Sequence, residues 1–315
     1  MSKKAFLMLQ AAAGLCFIGH GVWGLVQKTG WLVFYRPFGI PDELALMSMP
    51  IIGAIDILVG LSVLIRPTKA ALGYMVFWAT FTALLRPMAG LGWWEVLERG
   101  GNYGPPLALL LIGLVAYPGF KHPFKGLKAV ELTPATMNRV IWVLRVSIAL
   151  LLVGHGGFGL FQGKPMLLEH LAAVGIGDGT EASLNILRVQ GGVEIALGIA
   201  VLTFPVTART RVPYGGLVLG VLLWKLATEL LYPIANPGLD VLEFVERAGD
   251  YFAPLALVFL LQRRFADLWD TDQDALTMAR VESRGISDEG SEPVSDTQDP
   301  ADQPRGQPPF GVLSR

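Results

Sequence analysis

Gly19-His20-Gly21-Val22-Trp23-Gly24-Leu25 returns further along the chain as Gly154-His155-Gly156-Gly157-Phe158-Gly159-Leu160, identical at five of seven positions. A second block, Glu98-Arg99-Gly100-Gly101-Asn102-Tyr103, returns as Glu246-Arg247-Ala248-Gly249-Asp250-Tyr251, and both copies run on into Pro-Leu-Ala-Leu. The offset grows from 135 residues at the first block to 148 at the second, as expected of one unit written twice with a few loop insertions between the copies. The chain is thus its own two-row comparison. A residue kept in both copies has a packing or a chemical reason to be there.

Composition says where such a unit belongs. Hydrophobic residues make up 52% of the chain, charged residues only 16%, and the mean hydropathy is +0.50. Soluble domains carry about 25% charged residues. The deficit comes from eight apolar runs, roughly 5–26, 46–65, 70–90, 104–119, 140–162, 184–204, 212–233 and 250–262. Each is near the ~20 residues a helix needs to cross a bilayer, except the last, which is short and reads as beginning in the loop before it. The predicted fold is therefore all-α and polytopic, with eight transmembrane helices forming two tandem four-helix bundles. Residues 1–120 form the first unit, 121–137 a basic linker and 138–264 the second unit. Residues 265–315, rich in Asp, Glu, Pro, Ser and Gln without long apolar runs, read as a disordered tail.

The start, Met1-Ser2-Lys3-Lys4 followed by an apolar run, has the look of a signal peptide, but residues 146–160 repeat it deep in the chain, so it reads as a retained membrane helix. Even-numbered connections and the termini hold twelve Lys and Arg, against five on the opposite side. The positive-inside rule then puts both termini in the cytoplasm of a bacterial-type inner membrane. Four spans per copy give both copies the same orientation, a parallel repeat about an axis along the membrane normal. A net charge of −1 offers nothing to nucleic acid, and the single Cys16 excludes an internal disulfide or a cysteine-held metal cluster. Trp31, Phe34, Tyr35, Phe38, Trp93 and Trp94 sit at outer span ends. They suit either an aromatic belt at the headgroups or an aromatic lid over an outward pocket.

Ionisable residues at membrane depth are costly unless paired or hydrated, so they mark the bundle interior. In the first copy they are His20, Asp56, Arg86, Glu98 and Arg99, with Tyr103. In the second they are His155, Glu194, Glu229, Glu246, Arg247 and Asp250, with Tyr251. Each set falls toward the outer side, which predicts one polar cluster per copy, with His20 beside Asp56 and His155 beside Glu194. The adjacent pairs Glu98-Arg99 and Glu246-Arg247 also suit a helix start, where carboxylates complement the macrodipole. Gly19-x-Gly21-x-x-Gly24 and its repeat match a dinucleotide fingerprint only as strings. No strand precedes them, and small residues at that density let membrane helices approach closely. One histidine per unit is too few for a structural zinc site, and bis-histidine haem would need His20 and His155 to converge, which nothing in the sequence brings about.

Gly175-Ile176-Gly177-Asp178 followed by Val189-Gln190-Gly191-Gly192-Val193-Glu194-Ile195-Ala196-Leu197-Gly198-Ile199 has its counterpart in Gly39-Ile40-Pro41-Asp42 and Ile52-Gly53-Ala54-Ile55-Asp56-Ile57-Leu58-Val59-Gly60-Leu61. A glycine-rich first helix, a Gly-Ile-Pro-like loop and an acidic residue shortly before a glycine in the second helix resemble the DoxX-like family of four-helix membrane proteins. The resemblance spans about 1–265 as two tandem units; Asp56 stands where the pattern has Glu. It implies a membrane subunit of a redox system, with a redox partner subunit, binding quinone or a small thiol-related compound in outward-facing polar clefts. His20 and His155 would then bond the ligand or exchange protons with it, oriented by Asp56 and Glu194. The same clefts would also suit a non-enzymatic carrier of a small solute or lipid, or a scaffold that docks partners. No catalytic assignment follows from the residues alone.

Overall fold

A computed structural model describes residues 1–119, 121–177, 181–207 and 209–262. The expected tail lies outside the described residues, as do Arg263 and Arg264. The described residues are helical, with no strand beyond an isolated bridge between Thr68 and Gly126. In order they form α1 (Lys3–Leu25), two short 3-10 turns (Thr29–Phe34, Arg36–Phe38), α2 (Asp42–Ile65), α3 (Lys69–Met88), α4 (Trp94–Glu98) and α5 (Gly100–Ala116). Then follow α6 (Pro134–Gly157), which runs into a π turn (Phe158–Gln162), α7 (Pro165–Ala173), α8 (Glu181–Thr203), α9 (Arg211–Glu229), α10 (Leu231–Ala235), α11 (Val241–Glu246) and α12 (248–262).

Helix covers every stretch read as a span. Five helical stretches, Lys3–Leu25, Asp42–Ile65, Pro134–Gln162, Glu181–Thr203 and Arg211–Ala235, are long and apolar enough on their own to cross a bilayer; Gly100–Ala116 is apolar but shorter. Local signals set the starts. Ser2, Thr68 and Thr133 each accept a hydrogen bond from the backbone N–H three residues on, capping α1, α3 and α6. Thr133 followed by Pro134 starts α6 inside the stretch read as linker, because proline suits the first helical position.

Which helices lie inside follows from how evenly their apolar residues are spread. Over their most apolar stretch α1 is 61% buried and α6 72%, against 28% for α2, α8 and α9–α10. A helix apolar all round belongs in the interior, and α1 and α6 are the central pair. Met47, Ile51, Leu58 and Ile65 run as an exposed stripe along α2. Such a face has no place in water but is the ordinary outer surface of a protein in lipid. Leu9, Leu72, Ile112, Leu144, Val218 and Leu257, from both halves of the chain, belong to one continuous core.

Close helix approach is matched between the halves. A Cβ on Gly21 would stand 2.5 Å from the carbonyl oxygen of Gly53, and one on Gly156 2.5 Å from that of Gly191. α1 therefore meets α2, and α6 meets α8, backbone to backbone, which only glycine permits. Helix ends are matched too. The buried Gln10 side chain donates to the carbonyls of Val63 (3.0 Å) and Leu64 (3.4 Å) at the end of α2. Arg145, at the corresponding place in α6, donates to Val201 (3.0 Å), Leu202 (2.6 Å) and Phe204 (2.7 Å) at the end of α8. Lys69 closes α5 in the same way, its Nζ donating to Tyr117 (2.8 Å), Gly119 (2.6 Å) and Lys121 (2.7 Å). The final carbonyls of a helix have no partners of their own, and these side chains supply them.

Candidate functional site

Asp56 is fully buried on α2 and collects three donors: His20 Nδ1 from α1 (2.9 Å), Trp78 Nε1 (3.2 Å) and the Tyr74 hydroxyl (3.1 Å), the last two from α3. A buried carboxyl needs such a set, since each unmet acceptor costs roughly 1–3 kcal/mol. Because Nδ1 is held by Asp56, Nε2 is the ring nitrogen left for another partner. The other side of the imidazole is covered by Trp31, stacked at 4.5 Å between ring centroids and 26° between planes.

Beyond His20 lies a cavity of about 280 Å³. The turns after α1 fold over it with Trp31, Phe34, Tyr35 and Phe38, while Trp78 and Phe81 of α3 and Met49 and Ile52 of α2 complete the apolar wall. These outer aromatics are therefore a lining, the second of the two roles the sequence allowed them; Trp93, by contrast, is exposed, and Trp94 stacks on Phe161. Arg86 sits at the edge, its guanidinium 5.0 Å from the Phe34 ring, donating to the Thr82 carbonyl (2.9 Å) and 3.3 Å from Glu95. His20 and Arg86 thus converge on one aromatic pocket, with Asp56 behind His20.

The second half shares the frame but fills it differently. Trp224 Nε1 donates to Glu194 (3.0 Å), as Trp78 does to Asp56, and His155 Nδ1 lies 3.8 Å from Glu194. Counting on from the tryptophan, Ala79 and Ala83 correspond to Lys225 and Glu229. Those two form an ion pair at 2.5 Å, both fully buried. Lys225 Nζ is 3.3 Å from His155 Nδ1, and His155 Nε2 is 3.5 Å from Glu98. Here the histidine is enclosed by charges rather than by an aromatic pocket.

The Glu-Arg blocks make their shortest pairs not with their neighbours in sequence, as adjacency suggests, but with each other. They cross. Arg247 reaches Glu98 at 2.5 Å, and Arg99 reaches Glu246 at 2.7 Å, whereas Glu98 and Arg99 stand 3.7 Å apart. Gly154 of α6 packs against the backbone of Glu98, and Gly19 of α1 against that of Glu246. Each short outer helix therefore lies on the central helix of the other half. The two expected polar clusters meet through these crossed pairs. Arg247 also lies 3.6 Å from Glu229, 3.9 Å from Glu243 and 4.6 Å from the Tyr232 ring, and Lys28 pairs with Glu243. The buried Asp250 carboxyl has no hydrogen-bond partner among the described residues. Tyr103 and Tyr251 serve as braces, donating to the carbonyls of Val96 (3.4 Å) and Phe244 (3.1 Å).

Glu246 and His170, both outside the candidate spans, have shifted acidities. For Glu246, burial works upward, but Arg99 first, then His20, Lys28 and Arg247, outweigh it and hold the carboxyl at about 2. For His170 of α7, burial and then the Arg247 charge push the imidazole down to about 4.

Lys225 is the participant the sequence reading missed, although a lysine four residues before a glutamate within an apolar run is itself a signal. Trp78 and Trp224, each donating to the buried carboxyl of its half, were a second one. Among the described residues no group of three or more His, Cys, Asp and Glu side chains is arranged to hold a metal ion. No protein family, curated protein sequence or solved structure matches this chain.

Proposed function

We propose that the chain is an integral membrane protein of two tandem DoxX-like units, with eight helices crossing the bilayer, the shorter α5 and α12 among them, and the termini on the cytoplasmic side, and that the first unit binds the ring of a quinone or quinol. The DoxX-like assignment rests on the glycine and acidic motifs in the sequence. The observation that carries the ligand reading is the pocket of about 280 Å³ with aromatic walls, lined by His20, whose Nδ1 is held from behind by the buried Asp56, and by Arg86 at its edge. A planar, largely apolar ring with an oxygen at its edge suits that lining, whereas a small polar thiol compound would leave the walls unused. With Nδ1–H donated to Asp56, Nε2 accepts the hydroxyl hydrogen of a quinol. If that proton moves to Nε2, the imidazolium is stabilised by the Asp56 carboxylate.

The second unit is better suited to holding the two halves together, since Lys225 and Glu229 bring an ion pair where the first unit has two alanines. Function as a redox subunit then means presenting a bound quinone to a partner subunit from the outer side of the first unit. The test is fluorescence quenching by a short-chain quinone. Trp31 and Trp78 line the pocket, so emission should fall saturably in the native protein and far less in Trp31→Phe/Trp78→Phe. Quenching that neither saturates nor depends on those two residues contradicts the reading.

A further inference from the structure

We propose that the cavity between the start of α1, the end of α2 and the loop 123–130 binds the phosphate headgroup of an anionic phospholipid. The inference rests on the membrane placement proposed above and is independent of the ligand in the first pocket. The cavity is about 630 Å³; its charged side chains are all cationic and exposed, Lys3, Arg66 and Lys128, and its other polar side chain, Gln10, is engaged with the α2 carbonyls. Among the described residues none of these three side chains has a carboxylate within ion-pair reach or a hydrogen bond of its own. Neighbouring cations are otherwise engaged: Lys69 by three carbonyls, Lys4 over the Phe259 ring and Lys125 over the Tyr117 ring.

The wall is held in place. Leu127 N–H donates to the Pro67 carbonyl (2.8 Å), Ala70 N–H to that of Pro123 (3.0 Å), and the Met1 nitrogen to that of Val130 (2.8 Å). The Arg66 side chain lies across Gly126, where a Cβ would come within 2.6 Å of its Cγ and 2.9 Å of its Cδ. The loop thus leaves the space the arginine needs.

The other half is a built-in control. Lys3 and Gln10 correspond to Asn138 and Arg145, and Arg66 before Pro67 corresponds to Phe204 before Pro205. The cavity there, about 250 Å³, has Arg145 as its cation, and that guanidinium is spent on three carbonyls and lies 4.4 Å from the Trp142 ring. Unpaired cations at this place are therefore no requirement of the four-helix unit. A lipid rather than a soluble anion is the occupant because the cations border exposed apolar surface: Leu7 and Ile65 line the same cavity and are 55% and 82% exposed. Phosphate and acyl chain are recognised side by side, as basic pockets at the cytoplasmic ends of membrane helices do.

The test is native mass spectrometry of the full chain in non-ionic detergent with phosphatidylglycerol and phosphatidylcholine of identical acyl chains. The native protein should retain roughly tenfold or more phosphatidylglycerol over phosphatidylcholine. Lys3→Gln/Arg66→Gln/Lys128→Gln should lose that preference, and Arg139→Gln, which alters an exposed cation outside the cavity, should keep it. Gly126→Val, which displaces Arg66 without removing charge, should weaken it. If the triple variant does not fold, Arg66→Gln alone carries the comparison. An equal retention of both lipids by the native protein, or a preference that survives loss of the cations, overturns the proposal. So does inorganic phosphate competing phosphatidylglycerol away at matching concentration, which would make this a soluble-anion site.

Discussion

Replacing Arg247 by Met should cost more stability than any other single change at the meeting of the two halves. Arg247 is 5% exposed, and its guanidinium faces Glu98 at 2.5 Å, Glu229 at 3.6 Å and Glu243 at 3.9 Å. Methionine keeps much of the volume and removes the charge, so the loss is electrostatic. Glu98 would be left with Arg99 at 3.7 Å and His155 at 3.5 Å. Breaking a buried ion pair from one side costs about 3–5 kcal/mol, because the remaining charge stays buried. At about 2–4 °C per kcal/mol for a chain of this size, the melting temperature in detergent should fall by roughly 6–20 °C. Adding Glu98→Gln to Arg247→Met should recover part of the loss, giving a coupling of about 0.5–3 kcal/mol in a double-mutant cycle. Thermal melts of the four proteins, followed by intrinsic fluorescence, supply the cycle. A fall under about 2 °C for Arg247→Met, or single effects that add, would refute the reasoning that Glu98 and Arg247 join the halves.

At the pocket, Asp56→Asn keeps the shape but loses the charge that orients His20; hydrogen bonds to charged groups are worth about 1.5–3 kcal/mol, so quinone affinity should drop roughly 10- to 100-fold while melting temperature changes little. Equal losses of binding and stability would assign Asp56 a purely structural role. Acid should destabilise the protein in two stages. The unfolded His170 takes up a proton below its ordinary 6.5 and the folded one only near 4, so stability is lost as pH falls from about 6.5 to about 4, and His170→Asn should flatten that part of a melting-temperature profile. Glu246 acts the same way lower down, its contribution being full above 4.5 and lost toward 2. For the topology, an alkaline phosphatase fused after Arg264 should be inactive and a fluorescent protein bright; the reverse pattern would invert the proposed orientation.

The helices were legible because long apolar runs mark them, five of them long enough to cross a bilayer, and the glycine contacts because glycine recurs in both halves at the helix crossings. His20 beside Asp56 was legible for an energetic reason: a buried carboxyl must find a donor, and a Gly-His-Gly stretch stands in both halves of the sequence. The crossing of the Glu-Arg pairs was not. Adjacent residues suggest a local pair, and only the packing of α4 on α6 and α11 on α1 reveals that each arginine reaches the other half. Nor could a linear reading show that the aromatics after α1 turn back over His20, since a belt and a lid have the same composition. The difference between the halves was in plain view as Ala79 and Ala83 against Lys225 and Glu229, yet it gains meaning only once Trp78 and Trp224 are seen to hold corresponding carboxylates.

The most direct measurement is photolabelling of the full chain in membranes by a short-chain azidoquinone, with the attachment site read by peptide mass spectrometry. The account predicts label on the turn carrying Trp31–Phe38 or on the α3 segment carrying Trp78–Arg86, competed away by unlabelled quinone and greatly reduced by Asp56→Asn. Label confined to the second half, or spread without competition over the lipid-facing surface, would contradict it.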